Sequence, residues 1–253
     1  MIFNPDMLAG QRILVTGASS GIGRTTAIML ARCGAQVIIT GRDQQRLALT
    51  LSELQGDHHL AREFNFDGGD GIVEFLKDIT AREQPLSGMF HAAGVELVRS
   101  IKLTKAQHVE QVFSSSIHSA LALARGAALR GVMQDKAALL FMSSVSAQSG
   151  QAGMAVYAAA KAAIDGMVRS LAVELAPRGM RVNSIAAGAV HTEMHARMVN
   201  GLAENALQAY ADRHPLGFGD VQDIAQVAAF LFSDAGRWVT GATWAVDGGY
   251  LAR

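Results

Sequence analysis

"RILVTGASSGIGR", residues 12–24, is a short apolar run that stops at a glycine-rich turn and passes at once into a helical pattern over 21–33. Ile13, Leu14 and Val15 are consecutive and apolar, as expected of a strand covered on both faces. Gly17, Gly21 and Gly23 stand where strand must turn sharply into helix. Without Cβ atoms the backbone there can approach a pyrophosphate, whose charge meets free N–H groups at the helix start. A loose glycine triplet alone is equally a tight turn with no ligand. Its place after the first strand of an alternating pattern gives it weight.

That alternation runs the length of the chain. "AQVIITG" (35–41) reads as a second strand and "RDQQRLALTLSEL" as a helix. "HLAREFNFD" (59–67), "GMFHAAG" (88–94), "AALLFMSS" (137–144), "MRVNSIAAG" (180–188) and "TWAVDGG" (243–249) read as further strands. Between them lie the helical patterns of "GIVEFLKDITARE", 104–131, the stretch around Tyr157, and 189–233. Apolar strands separated by helices imply an α/β parallel sheet covered on both faces. No linker, repeat or low-complexity tract interrupts it, so 1–253 is expected to be one domain.

Composition excludes several classes. Lysine plus arginine equals aspartate plus glutamate, 22 each, so no net field draws nucleic acid or anionic membrane. The single cysteine, Cys33, allows no internal disulfide and fits a reducing compartment. "MIFNPDMLAGQR" lacks a basic region followed by an apolar core, and no apolar run reaches the roughly 20 residues of a membrane span. A cytoplasmic location is expected.

Two local features carry chemistry. Tyr157 and Lys161 in "YAAAK" are at i and i+4, on one helical face, separated only by Ala158, Ala159 and Ala160. A phenol has a pKa near 10, and an adjacent ammonium is expected to lower it. Tyr157 can then exchange a proton with a carbonyl or alcohol oxygen. At the end of the second strand, where a carboxylate would bond a ribose 2′-hydroxyl, stand Gly41 and Arg42. Glycine leaves room for a 2′-phosphate and a guanidinium pairs with one, which favours NADP, with NAD as the alternative.

Together "TGASSGIG", "YAAAK" and Ser144, thirteen residues before the tyrosine, resemble the short-chain dehydrogenase/reductase family, in the single-domain type that includes 3-oxoacyl reductases. Asp67, "HAAG" (91–94), "RVNSIAAG" (181–188), Thr192 and the closing "VTGATWAVDGGY" extend the likeness over nearly the whole chain. The resemblance implies a doubly wound Rossmann-type sheet of about seven strands, commonly in a homotetramer. It implies a catalytic set of Tyr157 as proton donor, Ser144 holding the same oxygen, and Lys161 also bonding the nicotinamide ribose. Cofactor contacts are implied at Gly17, Ser19, Ser20, Gly21, Ile22, Gly23, Arg42, Asp67 at the adenine, Ala93, Gly94, Val190 and Thr192.

Three positions depart from the family pattern. His91-Ala92-Ala93-Gly94 replaces Asn-Asn-Ala-Gly, so the asparagine side-chain bonds are expected to be lost. Ala187-Gly188 replaces Pro-Gly, and Ser116 stands where relatives carry a catalytic-site asparagine that helps water link the lysine to solvent. Arginines that meet an acidic carrier protein in the family's acyl reductases are replaced by Val173 and Asp135, although Arg125, Arg130 and Arg169 lie nearby.

The resulting expectation is an NADPH-dependent carbonyl reductase, reversible as an alcohol dehydrogenase, acting on a small-molecule carbonyl or alcohol. The alternatives are an NAD-dependent dehydrogenase of a secondary alcohol or sugar and a catalytically weak dinucleotide-binding regulator. Met194, Met198, Leu202 and Leu207 recur at near-helical spacing, so about 190–215 is expected to form a substrate lid, with simple helix packing as the alternative. His191 and His195 have metal-ligand spacing but no third partner, so no metal is expected.

Overall fold

In the first strand, β1 (Arg12–Thr16), successive side chains leave the backbone on opposite faces: Ile13 and Val15 enter one core, and Leu14 enters another. In the computed structural model, which describes residues 3–252 except 70, 82, 201 and 202, the same split recurs throughout the sheet. The chain continues through α1 (Gly21–Arg32), β2 (Gln36–Gly41), α2 (Gln44–Leu51), β3 (Leu60–Glu63), α3 (Ile72–Thr80) and β4 (Leu86–His91). There follow α4 (Ala106–Phe113), α5 (Ser119–Ala128), β5 (Met133–Ser144), α6 (Ala155–Leu175) and β6 (Arg181–Ala187). The last elements are α7 (Glu193–Val199), α8 (Glu204–Ala211), α9 (Val221–Phe232) and β7 (Thr243–Val246).

All pairings are parallel, in the order β3-β2-β1-β4-β5-β6-β7. Helices α1 and α9 cover one face, and α3, α5 and α6 the other. In β5 the two cores take Ala138, Leu140 and Met142 on one side, and Leu139 and Phe141 on the other. Unbroken apolar runs are therefore what these strands require. The chain winds outward from β1 to β3 and then returns to place β4 on β1's other side. This is a doubly wound Rossmann-type sheet, and the reversal opens a crevice at the carboxyl ends of β1 and β4. Among the described residues no helix is long and apolar enough to cross a membrane.

Several element boundaries differ from the sequence reading, among them the start of the fifth strand, at Met133 rather than residue 137, and the end of the last, at Val246 rather than residue 249. The fourth strand ends at His91 rather than Gly94, because the N–H groups of Ala92 and Ala93 turn to donate to Thr16 Oγ1 at 3.2 and 3.1 Å. The third strand ends at Glu63 rather than Asp67, where the Asp67 N–H donates to Asn65 Oδ1 in a side-chain-closed turn. The long helix expected over 104–131 is split by a wider, π-type turn at Ser114–His118. Its serine hydroxyls bond back to main-chain carbonyls, Ser115 to Gln111 O at 3.0 Å and Ser119 to Ser115 O at 3.0 Å, and so compete with the regular ladder.

The crevice depends on close backbone approach at its floor. A Cβ on Gly23 would run into the carbonyl oxygen of Gly17, while one on Gly150 would meet open space. Gly23→Ala should therefore destabilise the protein by about 1–3 kcal/mol, the usual cost of overpacking. Gly150→Ala should stay within about 0.5 kcal/mol. Urea unfolding of both variants checks this, and equal midpoints would contradict it.

Candidate active site

The start of α1 is left open by its own sequence. Its N-cap, Ser20, makes no side-chain cap, and its first turn holds no acidic residue. By contrast, the Asp43 carboxylate caps α2, accepting the Arg46 N–H at 3.0 Å. The free N–H groups and positive end of α1 therefore face the crevice, a setting that suits phosphate.

From there a cavity of about 880 Å³ runs across the carboxyl edge of the sheet. Its wall includes Gly17, Ser19, Ser20, Gly21, Ile22, Gly23, Arg42, Asp67, Ala93, Gly94, Val190 and Thr192. Ser144, Tyr157 and Lys161 line the same space, so one cavity gathers every catalytic and cofactor-contact residue expected from the sequence except Ser116. Ser116 is buried, and its Oγ has no hydrogen-bond partner among the described residues. It sits behind the wall: a Cβ built on Gly94 would lie 3.8 Å from Lys161 Nζ and 3.9 Å from Ser116 Oγ.

The floor under the loop after β4 is a chain of hydrogen bonds through His91. Ser119 Oγ donates to Ser115 O, so it accepts from His91 Nε2 at 3.0 Å. That fixes the proton on Nε2 and leaves Nδ1 to accept from Thr16 Oγ1 at 2.8 Å. Thr16 Oγ1 in turn accepts the N–H groups of Ala92 and Ala93. Burial, with the nearby Lys161 charge, pushes His91 down to about 3, so the imidazole stays neutral and the polarity of the chain is fixed. The side-chain bonds expected to vanish with the asparagines are thus replaced by a histidine.

Tyr157 and Lys161 sit on α6, which packs along β5 and β6. Lys161 is buried, and Nζ donates to Met142 O near the end of β5 at 2.9 Å. Burial lowers its pKa to about 8, against the raising effects of Asp165, one turn further along α6, and of Glu96. Tyr157 corrects the sequence expectation. Its phenol is pushed up, first by burial and then by the charge of Glu96, with the Ser144 hydroxyl acting in the opposite sense. Lys161 Nζ stands 5.5 Å from the centre of the Tyr157 ring, its hydrogen bond directed to the Met142 carbonyl. Ser144 Oγ accepts the Ser146 N–H at 3.2 Å, which leaves its own proton free to donate.

At the far end, Arg42 pairs with Asp67 at 3.2 Å, both side chains exposed. Arg46 reaches from α2 to Glu193 in the first turn of α7 at 2.5 Å. Met194 and Met198 of α7 line the cavity, Leu207 of α8 does not, and Leu202 lies outside the described residues. His191 and His195 have ring centres 5.9 Å apart. Among the described residues no group of three or more histidine, cysteine or acidic side chains is arranged for a metal ion. Sequence reasoning missed Glu96, Gln151, Arg197 and Tyr210, which also line the cavity. The signals available were the two-residue step from Gly94 to Glu96, the place of Gln151 between Ser144 and Tyr157, and the place of Arg197 and Tyr210 within the lid expected over 190–215.

Known proteins share this arrangement. Residues 17–251 match the family described as enoyl-(acyl carrier protein) reductase. The 3-oxoacyl-[acyl-carrier-protein] reductase of Vibrio cholerae is 34% identical over 244 residues, 96% of this chain and 98% of that protein. Carbonyl reductase family member 4 of Danio rerio is 31% identical over 237 residues, 93% and 96% of the two chains. A short-chain dehydrogenase/reductase from Serratia marcescens superposes with a TM-score of 0.88 at 26% identity, over 96% of this chain and 98% of that one. With its glycine turn, parallel sheet and gathered Ser144, Tyr157 and Lys161, the chain belongs to the short-chain dehydrogenase/reductase family of NAD(P)-dependent oxidoreductases.

Proposed function

We propose that the protein is an NADPH-dependent carbonyl reductase, reversible as an alcohol dehydrogenase, with 1–253 forming one catalytic domain. The observation that carries this is the opening of Ser144, Tyr157 and Lys161 onto the same cavity as the uncapped start of α1. A nicotinamide dinucleotide bound there supplies the hydride. Tyr157, with its phenol pushed up and therefore protonated at neutral pH, gives its proton to the carbonyl oxygen as the alcohol forms. The free proton of Ser144 Oγ holds that oxygen in place. Lys161 uses one of its three donors on Met142 O, leaving two for a ribose hydroxyl and for stabilising the phenolate that remains. Ser116 touches neither partner and serves Lys161 from behind Gly94.

The choice between NADPH and NADH turns on Arg42. Its pairing with Asp67 favours the second reading, an NAD-dependent dehydrogenase of a secondary alcohol or sugar, because the guanidinium already has an anion. The charge of the partner supports NADPH instead: a 2′-phosphate carries more negative charge than the single carboxylate of Asp67 and presents several oxygens to the guanidinium, and Gly41 leaves it room. Asp67 then turns to the adenine. The lid is assigned to 190–215, supported by Met194 and Met198 on the cavity wall. A homotetramer is supported by exposed Trp238 and Val173, and a cytoplasmic location by the free thiol of buried Cys33. Asp135 is bound to Arg178 and Val173 is apolar, which weighs against an acidic carrier protein as the substrate's bearer.

Arg42→Ala should weaken NADPH binding by about 1.5–3 kcal/mol and leave NADH nearly unchanged. Cofactor titrations check this, and equal losses for both cofactors would contradict the 2′-phosphate assignment. Tyr157→Phe keeps the ring and removes only the hydroxyl. NADPH oxidation against a ketone panel should fall by about 10²-fold or more while cofactor affinity persists. Single-turnover rates near wild type would assign the acid elsewhere, and cofactor binding without turnover of any ketone by the wild type would favour a regulator.

A further inference from the structure

We infer that the substrate end of the cavity is built for a hydroxylated molecule, with Glu96 accepting a hydroxyl on the carbon next to the reacting one. The inference rests on the oxidoreductase reading and deepens it to a substrate class: a vicinal hydroxy ketone for reduction, or the corresponding diol or polyol for oxidation.

Glu96 lies two residues beyond Gly94, on the loop leaving β4, and lines the same cavity as Tyr157. Among the described residues its carboxylate makes no hydrogen bond and no ion pair, although it is half-buried. Burial raises its pKa against the charges of Arg197 and Lys161, and its own charge acts on Tyr157, Lys161 and Tyr210 across the cavity they share. Gln151, Arg197 and Tyr210 line the cavity too, and none of their side chains is used in a hydrogen bond among the described residues. Met154, Met194 and Met198 are among the apolar side chains of the same wall.

An alkyl chain in this space would strip water from the carboxylate and offer no donor in return, leaving only the charges of Arg197 and Lys161 to offset the loss. A substrate hydroxyl gives that donor. It also draws on the negative charge that otherwise opposes phenolate formation on Tyr157. In the reaction itself hydride goes to the carbonyl carbon and the Tyr157 proton to its oxygen. The neighbouring hydroxyl keeps its own proton and is only bound.

The test uses the whole protein with NADPH bound, titrated with vicinal butanediol and with sec-butanol while NADPH fluorescence is followed. Sites built to bond a hydroxyl discriminate strongly against analogues lacking it, so the diol should bind roughly tenfold or more tightly. Glu96→Ala should bring the two within about threefold, and Glu96→Asp should restore part of the preference. No diol binding, a wild-type ratio below about threefold, or a preference that survives in Glu96→Ala overturns the inference. If Glu96→Ala does not fold, the wild-type ratio alone decides. Ketone turnover is a separate readout. Discrimination without turnover supports this inference and sinks the reductase, and turnover without discrimination does the reverse.

Discussion

A buried ammonium constrains the centre of this protein. Lys161 is held inside α6 against the sheet, with Met142 O as the acceptor of its one hydrogen bond to the described residues. Taking a lysine out of water favours its neutral form, and the pKa falls to about 8 despite Asp165 and Glu96. The sheet supplies the acceptor because β5 ends beside α6. The alanines before Lys161 keep the helix narrow there, and the phenol of Tyr157 lies one turn back along the same face. Asp165, one turn forward, is itself buried and accepts the Ser184 hydroxyl at 2.8 Å, so the negative partner is anchored in β6. The positions of Lys161 and Tyr157 are thus fixed from three elements that no local pattern would join.

The other side of the crevice is held by polarity rather than by charge. Thr16, His91 and Ser119 form one directed chain from the loop after β4 to the π-type turn in front of α5. Its direction requires a neutral imidazole, and burial provides it. Gly17 lets the first turn lie against this floor, since a Cβ there would stand 2.8 Å from Ala93 N. The loop after β4 therefore rests on a set of donors and acceptors with no spare member at Thr16, whose hydroxyl accepts two N–H groups and donates once.

Much of the fold was legible because the part of a strand buried on both faces must be apolar, as residues 13–15 of β1, 37–39 of β2 and 137–142 of β5 are. Glycines at Gly17 and Gly23 were legible as a turn, since backbone contact leaves no alternative residue. The break at Ser114–His118 was not, because serine hydroxyls that bond back to the main chain do not disturb apolar periodicity. The direction of the Tyr157 shift was hidden for a different reason. Sequence spacing registers Lys161 at i+4, whereas burial and the charge of Glu96 arise only when the β4 loop folds over α6. Arg197 and Tyr210 fall within the lid expected over 190–215 but were not singled out, because only the apolar side chains of that stretch carry a periodic signal.

The central claim is that the charge on Lys161 supports proton donation by Tyr157, and the pH dependence of carbonyl reduction tests it most directly. Lysine is charged below its pKa, so a value lowered to about 8 means that the charge is lost as pH rises through that point. The phenol of Tyr157 is pushed up, so its own ionisation lies at higher pH and does not produce this limb. At saturating NADPH, with chemistry limiting the rate, kcat/KM for a ketone should hold level on the acid side and decline above about pH 8. A profile that stays flat from about pH 6 to about pH 10 would contradict the role given to Lys161.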